Sequence, residues 1–228
     1  MKVLLLSGFP IPHVGGLSTH VLDLRTALEA QGHAVELLAG GAFSPPRPVL
    51  ALHRLAHGGR DGFLLWRLRA RERRIRDIVR DRVARGVDVI HCHDPIVASG
   101  TAAALAGLAT RPAFVETMHG PLAYEMAMTL KVPVASTPLL KVALDLEILA
   151  MRTADRVIAV DSGQARIARE DFGVAPGRLS VIFNSVACAD IEAVSRPAPA
   201  TAAGGPFFLV PRRLVEKTGV HVAIEAMV

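Results

Sequence analysis

The sequence predicts an α/β protein built on a doubly wound parallel sheet. Three observations carry that expectation. Strand-like and helix-like segments alternate from the first residue. The strand-like runs are continuously apolar, as strands covered on both faces are. Glycines or polar residues follow directly on nearly every run, where strand ends open toward a ligand crevice. With 228 residues, 51% hydrophobic and 21% charged, the chain has material for a sizeable core and is not disordered.

Taken in order, Lys2 to Ser7 is the first strand, and the Pro/Gly segment behind it lacks the small-residue cleavage pattern of a signal peptide. The loop Gly8 to Gly16 leads into a helix with Leu17, Val21, Leu24 and Leu28 on one face, stopped by Gly32. Ala34 to Ala39 is the second strand. Residues Gly40 to His57, with Pro45, Pro46 and Pro48, are expected to be a surface excursion. A helix over 64–85 follows, with Leu64, Leu68, Ile75, Ile78, Val79 and Val83 forming its buried stripe. Val87 to Cys92, Ala113 to Thr117, Arg156 to Val160 and Leu179 to Phe183 complete the strands. Between them lie an Ala-rich helix over 97–109, a long segment from Pro121 that turns helical at Pro138, and a helix capped by Asp161 or Ser162 and ending at Gly173.

The segment 196–206, RPAPATAAGGP, has the composition of a linker. It separates a domain over 1–195 from residues 207–228, where Phe207 to Val210 reads as a strand and Thr218 to Val228 as the opening of a helix. The chain is therefore expected to stop inside a second domain.

The formal charge of +5 is concentrated. Between Arg67 and Arg85 stand nine Arg against Glu72, Asp77 and Asp81, a local excess greater than that of the whole chain. The outer face of this helix is solvated, or meets an anionic membrane surface or a phosphorylated acceptor. Nucleic acid is not an expected partner, because no aromatic residue interleaves with these arginines. The longest uncharged stretches are too short to span a bilayer. Cys92 and Cys188 have no zinc or redox spacing and suit a reducing cytoplasm.

Candidate chemistry gathers just after the strands. Gly15-Gly16 opens a helix, where free amides and the dipole favour phosphate and a missing Cβ admits a ligand, or where the pair simply makes a turn. Neither the dinucleotide fingerprint nor a Walker lysine accompanies it. His91 and His93 alternate along a strand and point to one side; with Asp94 or His119 they could supply a metal, or be hydrogen-bonded wall residues. His119, in Thr117-Met118-His119-Gly120, presents an imidazole beside a flexible glycine, suited to binding hydroxyls or relaying a proton. Asn184-Ser185 follows the last strand. No nucleophile elbow and no spaced pair of acids is present, which disfavours a hydrolase.

In order, the stretches 15–39 (GGLSTHVLDLRTALEAQGHAVELLA), 88–94 (DVIHCHD), 117–120 (TMHG), 154–167 (ADRVIAVDSGQARI), 178–186 (RLSVIFNSV) and 212–227 (RRLVEKTGVHVAIEAM) resemble the family 4 glycosyltransferases. These are retaining enzymes of the GT-B fold, made of two Rossmann-like halves. The resemblance implies a nucleotide-sugar donor, a sugar, lipid-linked or small-molecule acceptor, no cofactor and no metal. It places Gly16, with Gly15, against the donor phosphates or the acceptor. His119 falls at the transferred sugar, and His91, His93 and Asn184 on the cleft wall. Arg213, with Lys217, falls at the leaving diphosphate.

The chain departs from the family pattern in two places. Thr218 stands where the family has a lysine directly before glycine, with Lys217 one place earlier, and Asn184-Ser185-Val186-Ala187 lacks the usual Gly and Asp. The paired glutamates of the second half have no counterpart in these 228 residues, so the chain alone is expected to be inactive. The location implied is cytoplasmic, with peripheral membrane contact through 64–85. The alternative is a Rossmann-like module that binds a small phosphorylated ligand without chemistry.

Overall fold

The computed structural model describes residues 1–57, 59–185, 188–194, 208–212 and 214–227. The chain divides into two compact units, Met1–Ser185 and Val186–Val228.

The first unit is an α/β layer structure around six parallel strands: β1 (Lys2–Ser7), β2 (Ala34–Ala39), β3 (Val89–Cys92), β4 (Ala113–Met118), β5 (Arg156–Ala159) and β6 (Leu179–Val181), in the order β2-β1-β3-β4-β5-β6. The expected doubly wound parallel sheet is thus present. From β1 the chain steps outward to β2, then returns across β1 to β3, so the winding reverses between β1 and β3. In open parallel sheets such a switch point leaves a crevice at the carboxyl ends of the two strands. Here those ends are Ser7 and Cys92, and register pairing of Leu6 with Cys92 and of Cys92 with Glu116 brings the end of β4 level with them.

Period-two geometry sorts the strand residues onto two faces. Leu4, Leu6, Ile90, Cys92, Phe114, Glu116 and Met118 point to one face, where they join a core with α3 (Arg60–Ala84), α4 (Pro95–Leu105) and α6 (Pro138–Thr153). Each of the large aliphatic or aromatic side chains fully buried there contributes about 1.5–3 kcal/mol relative to exposure. Leu5, His91 and Thr117 point to the other face, where α1 (Gly16–Ala30) brings His20 against His93 and His119. The α4 sequence PIVASGTAAAL is buried along nearly its whole length, because small residues let α3 and α6 close on it from both sides.

The Arg-rich helix forms over Arg60–Ala84 with Leu68, Ile75 and Val79 buried, and Ile78 and Val83 packed against the core. Its arginines are not simply solvated. Arg82 makes a forked contact with Glu36 of β2 (2.7–3.0 Å), Arg74 donates to Ala42 O (2.8 Å), and Arg71 donates to Gly8 O.

Three expectations are corrected. The excursion 40–57 is largely helical: a 3-10 turn Gly40–Phe43, then α2 (Arg47–Ala56). Pro46 stands at the helix cap and Pro48 just inside it, where the missing N–H is harmless, so they initiate instead of breaking. The segment after Pro121 holds a further helix, α5 (Leu122–Leu130), closed by Lys131 in a left-handed conformation. In the second unit, residues 208–210 form no strand, and no strand is described there for them to pair with; Phe207 lies outside the described residues. That unit contains α8 (Cys188–Val194), a 3-10 turn Glu216–Thr218 and α9 (Val220–Glu225).

At Gly100 α3 and α4 are in close contact, for an added Cβ would stand 2.6 Å from Ile75 Cγ2 and 3.0 Å from the Glu72 carbonyl oxygen. Gly100→Ala is therefore expected to destabilise the first unit by about 1–3 kcal/mol, read as a lower urea midpoint at unchanged slope.

Candidate functional site

The loops at the switch point are fixed by one carboxylate. Asp94, at the N-cap of α4, accepts from Ile96 N (3.1 Å) and Val97 N (3.2 Å) through Oδ1, while its Oδ2 accepts from Gly8 N in the loop leaving β1. Only glycine fits at position 8, since a Cβ would lie 2.7 Å from Asp94 Oδ1. Burial raises the pKa of Asp94, and the amides of Gly8, Val97 and Ile96 and the charge of Arg71 oppose the rise.

Beyond this clamp the β1 loop runs to Gly15, whose φ of +151° and ψ of 156° are essentially restricted to glycine. Gly15 O receives the amides of Ser18 and Thr19, closing the first turn of α1. No side chain caps this helix and no acid stands in its first turn. A Cβ on Gly16 would meet nothing within 4 Å, so this position faces open space at the positive end of a 15-residue helix.

Four imidazoles gather beside it. His91 and His93 share a face as their alternation predicts, with rings stacked at 4.3 Å. His91 Nε2 lies 2.7 Å from Thr117 Oγ1, so this ring is a wall residue held by the neighbouring strand. His93 is fully buried, with Nδ1 3.4 Å from His119 Nε2 and with Nε2 lacking any partner. His20 stands edge-on to His93 and to His119, at 5.5 and 4.9 Å between ring centres. A hydrogen bond to the Asn184 side chain connects the end of the last strand to His20. Burial lowers all four pKa values, that of His91 to about 3 and that of His119 to about 4, and the rings disfavour one another's charge. The cluster is therefore neutral near pH 7.

After His119 the chain passes through Gly120 and Pro121 into α5, and a second buried carboxylate fixes that entry. Glu147 of α6 accepts from Leu122 N (2.9 Å) and Ala123 N (3.2 Å). Burial pushes its pKa up to about 7 against the pull of these two amides. Glu116 lies on the opposite face of the sheet from the imidazoles, both its oxygens are buried without a partner, and burial raises its pKa strongly, so it is a neutral core acid.

The structure thus brings together His91, His93, His119 and Asn184 around His20, which lies just over one helical turn from the Gly15-Gly16 start of α1. Arg213 and the side chain of Lys217 lie outside the described residues. The residues that sequence reading passed over are His20, Asp94 in its clamping role, and Glu147. His20 stands five positions after Gly15, more than one helical turn from the N-cap, and that offset was its only signal. A cavity of about 370 Å³ lies at the opposite, amino ends of the strands, lined by Lys2, Val35, Glu36, Arg82 and Arg85 among others. Arg82 and Glu36 are paired with each other there, Arg85 is paired with Asp81, and the cavity is far from the switch point.

The sequence model of Glycosyltransferase Family 4 matches residues 14–190. Among solved structures, the lipopolysaccharide outer core galactosyltransferase WaaB in its apo form is similar, with 14% identity and a TM-score of 0.54, over 82% of this chain and 46% of that one. Anabaena HepE in complex with UDP-glucose is similar with 22% identity and a TM-score of 0.44, over 82% and 44%. No curated protein matches the chain. The chain spans a little under half the length of these two structures.

Glu147 gives this site a pH signature. Its folded pKa of about 7 lies above the unfolded value of 4.5, so its contribution is fully present below pH 4.5 and is lost as pH rises through 7. Glu147→Gln keeps an acceptor but cannot ionise. Between pH 5 and pH 8 its unfolding free energy should gain about 2 kcal/mol relative to the parent, and a constant difference in denaturant titrations would count against an ionising Glu147.

Proposed function

The chain belongs to glycosyltransferase family 4, and on that premise we propose that it forms the acceptor-side wall of an enzyme transferring a sugar, with retention, from a nucleotide-sugar donor. The observation that supports this reading most is that α1, which starts at Gly16, carries His20 to a ring-centre distance of 4.9 Å from His119.

Breaking the sugar–phosphate bond develops negative charge on the departing diphosphate. In this reading the uncapped start of α1 at Gly16 offers amides and the positive end of its dipole to phosphate or to acceptor oxygens. Arg213 and Lys217 supply cations to the diphosphate, and the transfer needs no metal. His119, neutral because its pKa is about 4, orients a hydroxyl of the transferred sugar by hydrogen bonding without adding charge. His91, His93 and Asn184 hold that ring and His20 in place. Turnover then belongs to a protein carrying both halves, and the 228 residues alone bind without appreciable transfer.

Release of nucleoside diphosphate from UDP-, GDP- and ADP-sugars tests this in a protein that carries a donor-side half as well. Gly16→Ala should change stability by no more than about 0.5 kcal/mol, because its Cβ enters open space, yet lower transfer at least about 10-fold. His119→Ala should lower kcat about 100-fold, and the parent's acid limb should show no imidazole step near pH 6.5. Binding of a phosphorylated ligand with no transfer in any combination would instead mark a non-catalytic module.

The same proposal includes peripheral contact with anionic lipid when the acceptor is lipid-linked. Leu52 and Leu55 of α2 are 66% and 82% exposed beside the Arg-rich α3. Co-sedimentation with vesicles should require anionic lipid and fall when both leucines are replaced by Glu; binding to neutral vesicles alone would contradict it.

A further inference from the structure

We propose that His20, His93 and His119 form a binding site for a divalent transition-metal ion of the zinc class, with a fourth position open to the crevice. One ring nitrogen of each lies within 4.8 Å of those of the other two. Zinc held at about 2.1 Å by tetrahedral nitrogens keeps neighbouring donors roughly 3.4 Å apart. The separation of His93 Nδ1 from His119 Nε2 is 3.4 Å, long for a hydrogen bond but the length of such an edge.

The ring planes agree. Imidazoles radiating from one tetrahedral ion hold their centres roughly 5 Å apart without stacking, and here the centres are 4.9, 5.5 and 5.6 Å apart with planes inclined at 75°, 63° and 34°. His91 is excluded because it stacks on His93 and its Nε2 is engaged by Thr117.

His93 is fully buried, and its Nδ1 faces His119 Nε2 at that long separation. The Asn184 side chain hydrogen-bonds His20. Because His20 and His119 are only partly buried, solvent or a ligand oxygen can reach the fourth position. Three imidazoles without a carboxylate favour zinc, cobalt, nickel or copper over magnesium or calcium. This site rests on the histidine geometry and not on the sugar-transfer reading, which gives His119 to a sugar hydroxyl without a metal; ion and sugar compete for that ring.

Cobalt(II) titration of the untagged chain near neutral pH reads the site directly, because four- and five-coordinate cobalt absorbs visible light far more strongly than the octahedral aqua ion. The expected result is saturation at one ion per chain. His20→Ala and His119→Ala, each with an unchanged circular dichroism spectrum, should lose at least about 100-fold in affinity. His53 and His57, an exposed pair one turn apart on and just after α2, are the competing chelate; their double Ala variant should titrate like the parent. No intense absorption at saturation, parental affinity in either His20→Ala or His119→Ala, or loss of the signal in the His53/His57 variant would each overturn the proposal.

Discussion

Carboxylates that grip main-chain amides, Asp94 and Glu147 buried and Asp161 partly so, fix the end of the sheet where the functional residues stand. Asp94 holds Gly8, Ile96 and Val97, Glu147 holds Leu122 and Ala123, and Asp161 caps α7 (Ser162–Glu170) through Gln164 N at 2.7 Å. Each satisfies amides that a strand or helix end leaves without partners, and such groups are expensive to bury unpaired. The loops after β1, β3, β4 and β5 are thereby tied by side-chain hydrogen bonds to helices.

This arrangement divides the labour at the switch point. The residues that do the holding are acids turned toward the core, while those left facing the crevice are glycines and neutral imidazoles. Gly16 has no neighbour to fill its missing Cβ, and Gly15 holds a backbone that other residues reach only under strain. A rigid frame with an accessible backbone and uncharged ring nitrogens suits a polyhydroxylated ligand, whose many hydroxyls require positioned donors and acceptors instead of a strong field.

Much of this was legible in the sequence because doubly wound sheets place their ligand residues in a predictable position, directly after apolar runs. Gly15, Gly16, His91, His93 and His119 could be marked without coordinates for that reason, and the buried stripe of the Arg-rich helix by its spacing. His20 could not, because its relevance depends on how α1 leans on the sheet. Glu147 sits in the middle of an amphipathic helix 28 residues after His119, and only packing brings it back to the chain just beyond that histidine. The α2 helix was missed for a local reason: three prolines suggested a loop, whereas two of them stand at or just inside a helix start. The spacing of the α3 arginines predicts a solvated or membrane-facing surface, but Arg71, Arg74 and Arg82 reach across to other elements.

The sheet also sorts its titrating groups. Glu116 and Asp94 are placed by strand parity on the α3–α4–α6 side, joined there by Glu72 of α3 and Glu147 of α6, all with raised pKa values. His20, His91, His93 and His119 gather on the other side with lowered ones. In mildly acidic solution the unfolded chain would bind protons at the imidazoles and give them up at the carboxyls, so the two sets exchange protons in opposite directions. The two sets therefore oppose each other in the proton balance of unfolding, and each partly masks the other when calorimetric enthalpies are compared in buffers of different ionisation heat.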